Sequence, residues 1–352
     1  MYTRNLILVS ILFVLAICTK STGQIPLAPK DYELKQFIIQ DKALGIISFY
    51  IDTVGLKNKA PIFIEANGSG GIPLCLYIKT AGNHSTIFNP FSPPLIDKIK
   101  EKFHYVILDK PGTPFCDSVV TQQPLQGLDM MSVLENYTPT KEYTRRLDLQ
   151  WRINATKKVI TYLIEHGYWD KTKIVAYGYS EGGHMVPSLA ASDKRITHAV
   201  PVVGIALNQF YDRLVDWRVK AAMGILTQQQ AQDSINSYLE IVKDIYAHPN
   251  DTQRMYEGHS YKRWASFCSV IPLEQMEKLN IPIYMVVATE DKSSLIYGLD
   301  YVPLEFARLG KKNLSYTTCV GCDHGLTSLE HGLPVHHYDD ITDKIIKWIN
   351  EH

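Results

Sequence analysis

Short apolar runs alternate with longer segments of helical period through most of the chain. The runs are rich in β-branched and aromatic residues, which favours buried strands over helices. Predicted strands cover residues 61–65, 105–109, 173–177, 198–203, 283–288 and 314–318. Predicted helices cover residues 147–166, 182–191, 301–309 and 341–349. Strands that alternate with helices in this way predict a mostly parallel sheet with helices on both of its faces.

Two further β-rich stretches, residues 33–40 and 44–52, precede this alternation. Because only a short gap separates them, we expect them to pair as an antiparallel hairpin. Together with the six apolar runs they predict a sheet of eight strands. Residues 24–203 and 281–352 would form this core.

The stretch between the sixth and seventh strands, residues 204–280, is far longer than a single connecting helix needs. It contains a helical segment at residues 228–245 and many aromatic side chains. We expect a helical insertion there that forms a cap over the functional site. A small subdomain whose rings serve only its own core is the alternative. Residues 113–140 are rich in Pro, Gln and Gly, and we expect them to loop over the same face.

Residues 1–23 have the layout of a signal peptide, with Arg4 ahead of an apolar run that extends from Leu6 to Cys18. The run is shorter than the ~20 residues of a membrane-spanning helix, so we predict no permanent membrane span. We expect cleavage after Gly23 and a secreted or periplasmic protein. Lipid attachment at Cys18 is disfavoured because Ile17 is larger than the residue that usually precedes a lipidated cysteine.

Acidic and basic residues balance along the chain at 36 each. Removal of residues 1–23 takes away Arg4 and Lys20 and no acidic residue, which leaves 34 basic and 36 acidic residues. A chain this neutral, without a basic stripe or an Arg-rich arm, is not expected to bind nucleic acid as its main partner. Its oligomeric state stays open.

Five cysteines follow residue 23, so at least one of them is unpaired or pairs with another molecule. They are Cys75, Cys116, Cys268, Cys319 and Cys322. Cys319 and Cys322 have the spacing of a redox or zinc motif, but no second such pair accompanies them. We expect a local disulfide or two thiols there rather than a metal site, and the pairing among the five stays open.

The most informative segment is Gly178-Tyr179-Ser180-Glu181-Gly182, which fits the pattern G-x-S-x-G. A β-branched strand precedes it, and a helix rich in small residues follows it. In a sharp strand-to-helix turn the two glycines avoid clashes with neighbouring backbone, and the serine hydroxyl is exposed beside a helix N-terminus. This context predicts Ser180 as a nucleophile. A plain strand-to-helix turn is the alternative.

From about residue 33 to residue 349 the chain resembles an α/β-hydrolase, in its strand order, its insertion and its serine turn. The resemblance implies a triad whose members follow in the order nucleophile, acid, histidine. It assigns the base to His324, in the loop after the last strand. It assigns the acid to Asp291, with Glu290 as the alternative. His184, on the helix after the serine, should instead point into the helix packing.

The same resemblance implies two backbone donors for the oxyanion of an acyl-transfer reaction. One is the N–H of Glu181, directly after the serine. The other should come from residues 65–71, where this chain has Asn67-Gly68 in place of the family's frequent His-Gly. We choose Ser69, with Gly68 and Gly70 as alternatives. Residues 109–112, Asp-Lys-Pro-Gly, also resemble a turn of the family, and we interpret them as structural.

Together these residues predict a secreted serine hydrolase that cleaves a carboxylic ester through an acyl-enzyme. The expected substrate is a small molecule or an acylated carbohydrate or lipid, and the chemistry implies neither a cofactor nor a metal. A serine peptidase of the same fold is the first alternative, because the serine turn also resembles that of secreted peptidases. A binding protein that keeps the fold without catalysis is the second. The acyl and leaving groups stay open.

Overall fold

The computed structural model describes residues 27–52, 56–91 and 93–352. The expected signal peptide of residues 1–23 and its cleavage point lie outside these residues. Within the described ranges, no helix combines the length and the apolar character that crossing a lipid bilayer requires.

The strands of the described residues are numbered in chain order. They are β1 (Leu34–Asp41), β2 (Gly45–Asp52), β3 (Ala60–Ala66), β4 (Cys75–Lys79), β5 (Ser85–Phe88), β6 (His104–Leu108), β7 (Cys116–Val120), β8 (Trp169–Tyr179), β9 (His198–Val202), β10 (Met255–Tyr256), β11 (His259–Ser260), β12 (Ile283–Ala288), β13 (Leu314–Cys319), β14 (Thr327–Glu330) and β15 (Leu333–His336).

The α-helices are numbered in the same way. They are α1 (Pro93–Ile99), α2 (Met130–Asn136), α3 (Lys141–Arg146), α4 (Leu149–Glu165), α5 (Glu181–Ser192), α6 (Gln209–Ala222), α7 (Gln228–Ala247), α8 (Tyr261–Cys268), α9 (Pro272–Glu277), α10 (Ile296–Leu299), α11 (Tyr301–Arg308) and α12 (Tyr338–Glu351).

Eight of the strands form one sheet in the order β1-β2-β6-β3-β8-β9-β12-β13. The pairs β1–β2 and β2–β6 are antiparallel, and the remaining neighbours are parallel. The prediction of an eight-stranded, mostly parallel sheet is therefore confirmed. Because parallel strands end at the same edge of a sheet, the loops after β3, β6, β8, β12 and β13 gather there.

Helices cover both faces of this sheet. Alternate residues of a strand point to opposite faces, so Ile62 and Ile64 of β3 pack with α4 and α5, whereas Phe63 packs with α1 and α12. The central strands are buried on both sides and are consequently apolar at nearly every position. This double burial is the reason that short apolar runs located these strands in the sequence.

Residues 204–280 contain the four helices α6 to α9 and the pair β10–β11, as far as the structure describes them. Phe210 lies 5.9 Å from Tyr238 and 5.5 Å from Trp264 between ring centroids, and all three side chains are buried. The rings of the insertion therefore form a small core of their own.

A second sheet, in the order β5-β4-β7, was not foreseen from the sequence. Its strand β7 and the helix α2 lie within residues 113–140, which we expected to be an irregular loop, and that expectation is wrong. The sequence of β7, Cys-Asp-Ser-Val-Val, has no apolar run. The strand forms because β4 supplies a parallel partner and because Leu76 and Ile78 of β4 pack with Val133 of α2.

Cys319 and Cys322 form a disulfide at the end of β13. The carbonyl of Cys319 accepts the N–H of Thr289 at 3.2 Å, and the carbonyl of Cys322 accepts the N–H of Glu290 at 2.8 Å. Of the two arrangements left open for this pair, the structure has the disulfide. The bridged turn is thereby bound to the loop that follows β12.

Candidate active site

Ser180 occupies the sharp turn between β8 and α5. Its backbone has φ 56° and ψ −117°, a left-handed conformation that a non-glycine residue seldom adopts. The flanking glycines make the turn possible. A Cβ on Gly178 would lie 2.2 Å from the carbonyl oxygen of Gly182, and a Cβ on Gly182 would lie 1.8 Å from that of Ala66. The turn therefore requires both glycines and brings the serine close to the end of β3.

His324 and Asp291 meet Ser180 at the carboxyl edge of the sheet. The Nε2 atom of His324 lies 2.9 Å from Oγ of Ser180, and its Nδ1 atom lies 2.7 Å from Oδ2 of Asp291. The side chains of His324 and Asp291 are almost completely buried. The structure thus brings together three side chains that are 111 and 33 residues apart in sequence.

Backbone hydrogen bonds hold both partners in place. Oδ1 of Asp291 accepts the N–H groups of Ser293 at 2.7 Å and of Ser294 at 3.0 Å, which leaves Oδ2 for the imidazole. The hydroxyl of Tyr179, the residue before Ser180, donates to the carbonyl oxygen of His324. Both carboxylate oxygens of Asp291 and the backbone carbonyl of His324 are therefore held by hydrogen bonds.

Glu290, the other candidate for the acid, and His184, the histidine nearest to Ser180 in sequence, have different surroundings. Glu290 is exposed to solvent, whereas its neighbour Asp291 is buried against the imidazole. His184 is buried in α5, and its Nε2 atom lies 3.1 Å from the carbonyl oxygen of Phe267 in α8. The expectation that His184 belongs to the helix packing is confirmed.

Residues 66–71, which we call the Asn67 loop, lie beside the serine. A Cβ on Gly68 would be 3.6 Å from Cβ and 4.0 Å from Oγ of Ser180, so the loop backbone is in van der Waals range of the hydroxyl. Glu181 is the first residue of α5, and the N–H group of a first-turn residue has no partner within its helix. The hydroxyl of Ser180 is thus flanked by the backbone of Glu181 and by that of the Asn67 loop. Ser69 is the next residue after Gly68 in this loop.

The side chain of Glu181 takes part in a buried ion network that sequence reasoning missed. Arg152 of α4 donates to its Oε1 at 2.7 Å, and Arg263 of α8 donates to its Oε2 at 2.7 Å and 3.1 Å. Burial by itself would raise the pKa of Glu181, but the charges of Arg263 and Arg152 hold that pKa well below its usual range. A glutamate at the start of a buried helix is expected to pair with a cationic side chain. The sequence alone does not identify that side chain.

Lys110 and Arg152 both contact the Asn67 loop. Lys110 donates from Nζ to the carbonyl oxygens of Gly68 and, at 2.5 Å, of Gly70. Arg152 donates from Nη2 to the carbonyl oxygen of Asn67 at 2.7 Å and to its Oδ1 at 3.1 Å. Desolvation, with a further contribution from Arg152, lowers the pKa of Lys110 to about 7.

A metal site has one candidate among the described residues. Cys319, Cys322 and His337 bring possible ligand atoms within 4.8 Å of one another. The two sulfurs are joined in the disulfide, so thiolates are not available there as ligands.

Known proteins are similar to this chain in part of its sequence and in its fold. The sequence model of the prolyl oligopeptidase family matches residues 124–250, less than half of the chain, which include the turn of Ser180. A structure of DcsB with a substrate analogue is 14% identical, with a TM-score of 0.53, over 90% of this chain and 99% of DcsB. No curated protein matches the sequence.

Two further structures are similar to the chain. Est1E from Butyrivibrio proteoclasticus with bound ferulic acid is 14% identical over 87% of this chain and 95% of Est1E, with a TM-score of 0.51. A putative dipeptidyl aminopeptidase IV from Bacteroides ovatus is 11% identical over 91% of this chain, with a TM-score of 0.52. The match covers only 36% of that peptidase.

The eight-stranded sheet with a serine turn at its carboxyl edge is the α/β-hydrolase fold. Residues 124–250, which include that turn, match the family model, and the similar solved structures share the fold.

Proposed function

We propose that the protein is a serine hydrolase that cleaves carboxylic esters, with Ser180 as nucleophile, His324 as base and Asp291 as the acid that orients it. One observation carries the proposal: the imidazole of His324 lies within hydrogen-bonding distance of both the serine hydroxyl and the buried carboxylate. This is the arrangement that a serine needs, because its hydroxyl is a weak nucleophile until a neighbouring base removes the proton.

The reaction follows from these contacts. Nε2 of His324 accepts the proton of Ser180 as Oγ attacks the acyl carbon, and Asp291 stabilises the imidazolium that forms. The oxyanion accepts hydrogen bonds from the N–H groups of Glu181 and Ser69. The imidazolium then protonates the leaving oxygen and the ester bond breaks. Water, deprotonated by the same imidazole, releases the acid and restores the free serine.

The insertion of residues 204–280 serves in this proposal as a cap. Three contacts between the insertion and residues near Ser180 and Asp291 support this role. Arg263 binds Glu181 beside the nucleophile, the carbonyl of Phe267 contacts His184, and Asp212 of α6 accepts the N–H of Leu295 after the acid turn at 3.1 Å.

We propose an ester as the substrate for three reasons: the expected export of the chain, its nearly neutral net charge, and the similarity of its fold to that of Est1E. The proposed signal peptide of residues 1–23 would direct the protein to an extracellular or periplasmic space, where acylated carbohydrates and lipids occur. Ferulic acid, an aromatic carboxylic acid, is bound to the similar Est1E. We therefore propose an acylated carbohydrate or lipid, or a smaller ester, as substrate.

A serine peptidase is the second candidate, and a specific observation favours it. The prolyl oligopeptidase family is the one whose sequence model matches residues 124–250. The same triad and oxyanion donors cleave amides as well as esters. Substrate assays therefore have to separate the two.

The first experiment tests catalysis itself. A biotinylated fluorophosphonate should label the wild-type protein and not Ser180→Ala. Ser192→Ala, at the far end of the same helix, should label like the wild type. Ser180→Ala and His324→Ala should each lose about 10⁴-fold or more in kcat. Equal labelling of wild type and Ser180→Ala would refute the nucleophile, and a wild type that neither labels nor turns over would favour a binding protein.

The second experiment separates esters from peptides. We expect turnover of p-nitrophenyl acetate, p-nitrophenyl butyrate or methyl ferulate, with Ser180→Ala as the blank. Aminoacyl and dipeptidyl p-nitroanilides should be hydrolysed slowly or not at all. Preferential cleavage of the anilides would replace the esterase proposal with the peptidase one.

A further inference from the structure

Hydrogen bonds from two cations fix three carbonyl groups of the Asn67 loop. The carbonyl of Asn67 accepts from Arg152, and those of Gly68 and Gly70 accept from Lys110. Lys110 and Arg152 are only 5% and 6% exposed, so these charged donors are shielded from water on this side of the loop. Hydrogen bonds from charged donors are roughly twice as strong as neutral ones, and they set the orientation of the peptide groups that they bind.

The orientation of a carbonyl determines that of the N–H in the same peptide group. The two groups of a trans peptide point in opposite directions. With the carbonyls of Asn67 and Gly68 directed at Arg152 and Lys110, the N–H groups of Gly68 and Ser69 are directed away from these cations. Gly68 is also the residue of the loop that lies against Ser180.

We propose that Lys110, together with Arg152, is a positioning residue that holds the Asn67 loop so that the N–H of Ser69 faces the oxyanion formed at Ser180. The proposal rests on the proposed hydrolase function and deepens it. It gives a role to the Asp-Lys-Pro-Gly turn, which we interpreted from the sequence as merely structural. Lys110 touches no reacting atom and acts through the backbone that it binds.

The charge of Lys110 provides a readout that a purely structural role would not affect. Burial lowers the pKa of Lys110 to about 7, well below that of an exposed lysine. As the pH rises through this value, the ammonium loses its charge and its bonds to the two carbonyls weaken. The charged and titratable groups near it are Arg152 on α4, Glu181 on α5, Arg263 on α8, His259 on β11 and, in the same turn, Asp109.

The test uses the full protein and p-nitrophenyl acetate. Lys110→Met removes the donor at similar size, and Lys110→Arg keeps a positive charge at all working pH values. Lys311→Met is the matched control, because Lys311 also donates to a backbone carbonyl, that of Leu279, but lies at the opposite edge of the sheet. We expect kcat of Lys110→Met to fall by about 10²–10³-fold, as for loss of one oxyanion donor, with little change in KM. Lys311→Met should match the wild type.

The pH profile gives an independent measurement should Lys110→Met fail to fold. Wild-type kcat should decline above about pH 7, and this decline should move to higher pH in Lys110→Arg. An unchanged profile in Lys110→Arg, or a folded Lys110→Met with wild-type kcat, would overturn the positioning role while leaving the hydrolase intact. A wild type with no turnover and no fluorophosphonate labelling would overturn the hydrolase proposal and this inference together.

Discussion

Two adjacent carboxylates, Glu290 and Asp291, follow the same strand and meet opposite surroundings. Glu290 is exposed, whereas Asp291 is buried and bound by two backbone N–H groups and an imidazole. A buried carboxylate with all of these partners has one orientation, and it therefore fixes the tautomer of His324. The two residues therefore differ in their burial and in their hydrogen-bond partners, both of which the fold determines.

This difference predicts unequal effects of two conservative substitutions. Asp291→Asn keeps the shape but offers an amide where the imidazole needs an acceptor, so kcat should fall by about 10³–10⁴-fold. Glu290→Gln, the matched control, should change kcat by less than about twofold because a solvated side chain makes no contact with the histidine. Kinetics with p-nitrophenyl acetate would check both. A larger loss in Glu290→Gln would refute the assignment.

Asp109 is a buried acid whose charge is poorly compensated. Oδ2 accepts the hydroxyl of Tyr50 at 2.5 Å, while Oδ1 has no hydrogen-bond partner among the described residues. Desolvation raises the pKa of Asp109 to about 8. In the unfolded chain the pKa returns to the ordinary value near 4. The folded state therefore binds an extra proton between these two values, and the stabilisation, complete below about pH 4, is lost progressively as the pH rises to about 8.

Removal of this ionisable group should flatten the pH dependence of stability. Between pH 5 and pH 8 the wild type should lose up to about 1.4 kcal/mol of unfolding free energy per pH unit through Asp109 alone. Asp109→Asn keeps an acceptor for Tyr50 and should lack that loss. Urea unfolding at several pH values would measure it, with the exposed Glu101→Gln as control. Equal slopes in Asp109→Asn and wild type would contradict the assignment.

At the scale of elements, the disulfide turn after β13 connects the loop of Asp291 with that of His324. The turn is bound to the loop of Asp291 through the N–H groups of Thr289 and Glu290, and His324 comes two residues after Cys322. The disulfide closes a very short loop, so its effect on the entropy of the unfolded chain is modest. Its larger effect is to hold the start of the histidine loop.

We expect the double variant Cys319→Ser, Cys322→Ser to lose about 2 kcal/mol of unfolding free energy. Its kcat should fall as well, because His324 would be less firmly held. Urea unfolding and ester kinetics, each with and without dithiothreitol, would check this. Dithiothreitol should affect the wild type and leave the double variant unchanged. An equal response of both proteins would place the redox-sensitive group elsewhere.

At the scale of the whole molecule, the insertion and the core share one buried charge network. Arg263 belongs to α8 of the insertion, Glu181 to the helix that follows Ser180, and Arg152 to α4 of the core. The guanidinium of Arg263 also lies 4.5 Å from the ring of Trp264 and 4.6 Å from that of Phe267. The insertion is therefore attached to the core at the first residue of α5, directly after Ser180.

Breaking this attachment should be costly. Arg263→Met leaves the buried Glu181 with one partner fewer and should lower the unfolding free energy by about 3–5 kcal/mol. Adding Glu181→Gln should not recover that loss, because it leaves the buried Arg152 without its carboxylate partner. Arg213→Met, which breaks the more exposed pair with Glu257, should cost no more than about 1 kcal/mol. Similar losses for Arg263→Met and Arg213→Met in urea unfolding would refute the role of the network.

Much of the fold could be predicted because its signals are local. The strand that precedes Ser180 and the helix that follows it are encoded by contiguous residues, as is the glycine pair that the turn requires. By contrast, β7 has no apolar run of its own and exists only through its pairing with β4, about forty residues earlier. Patterns within one segment cannot reveal a strand of that kind.

The sequence by itself determined the serine turn and the succession of parallel strands, because each depends on a pattern within a few neighbouring residues. Asp291 and His324 became candidates through the resemblance to the α/β-hydrolases, which gave the places along the chain at which to look for them. Only the tertiary structure decided which cations balance Glu181, how Lys110 meets the Asn67 loop and that Asp291 rather than Glu290 reaches the imidazole. Arg263 and Glu181 are 82 residues apart, and Arg152 and Asn67 are 85 apart. Contacts over such separations depend on how the chain packs as a whole, since burial creates the need for a partner and topology selects it.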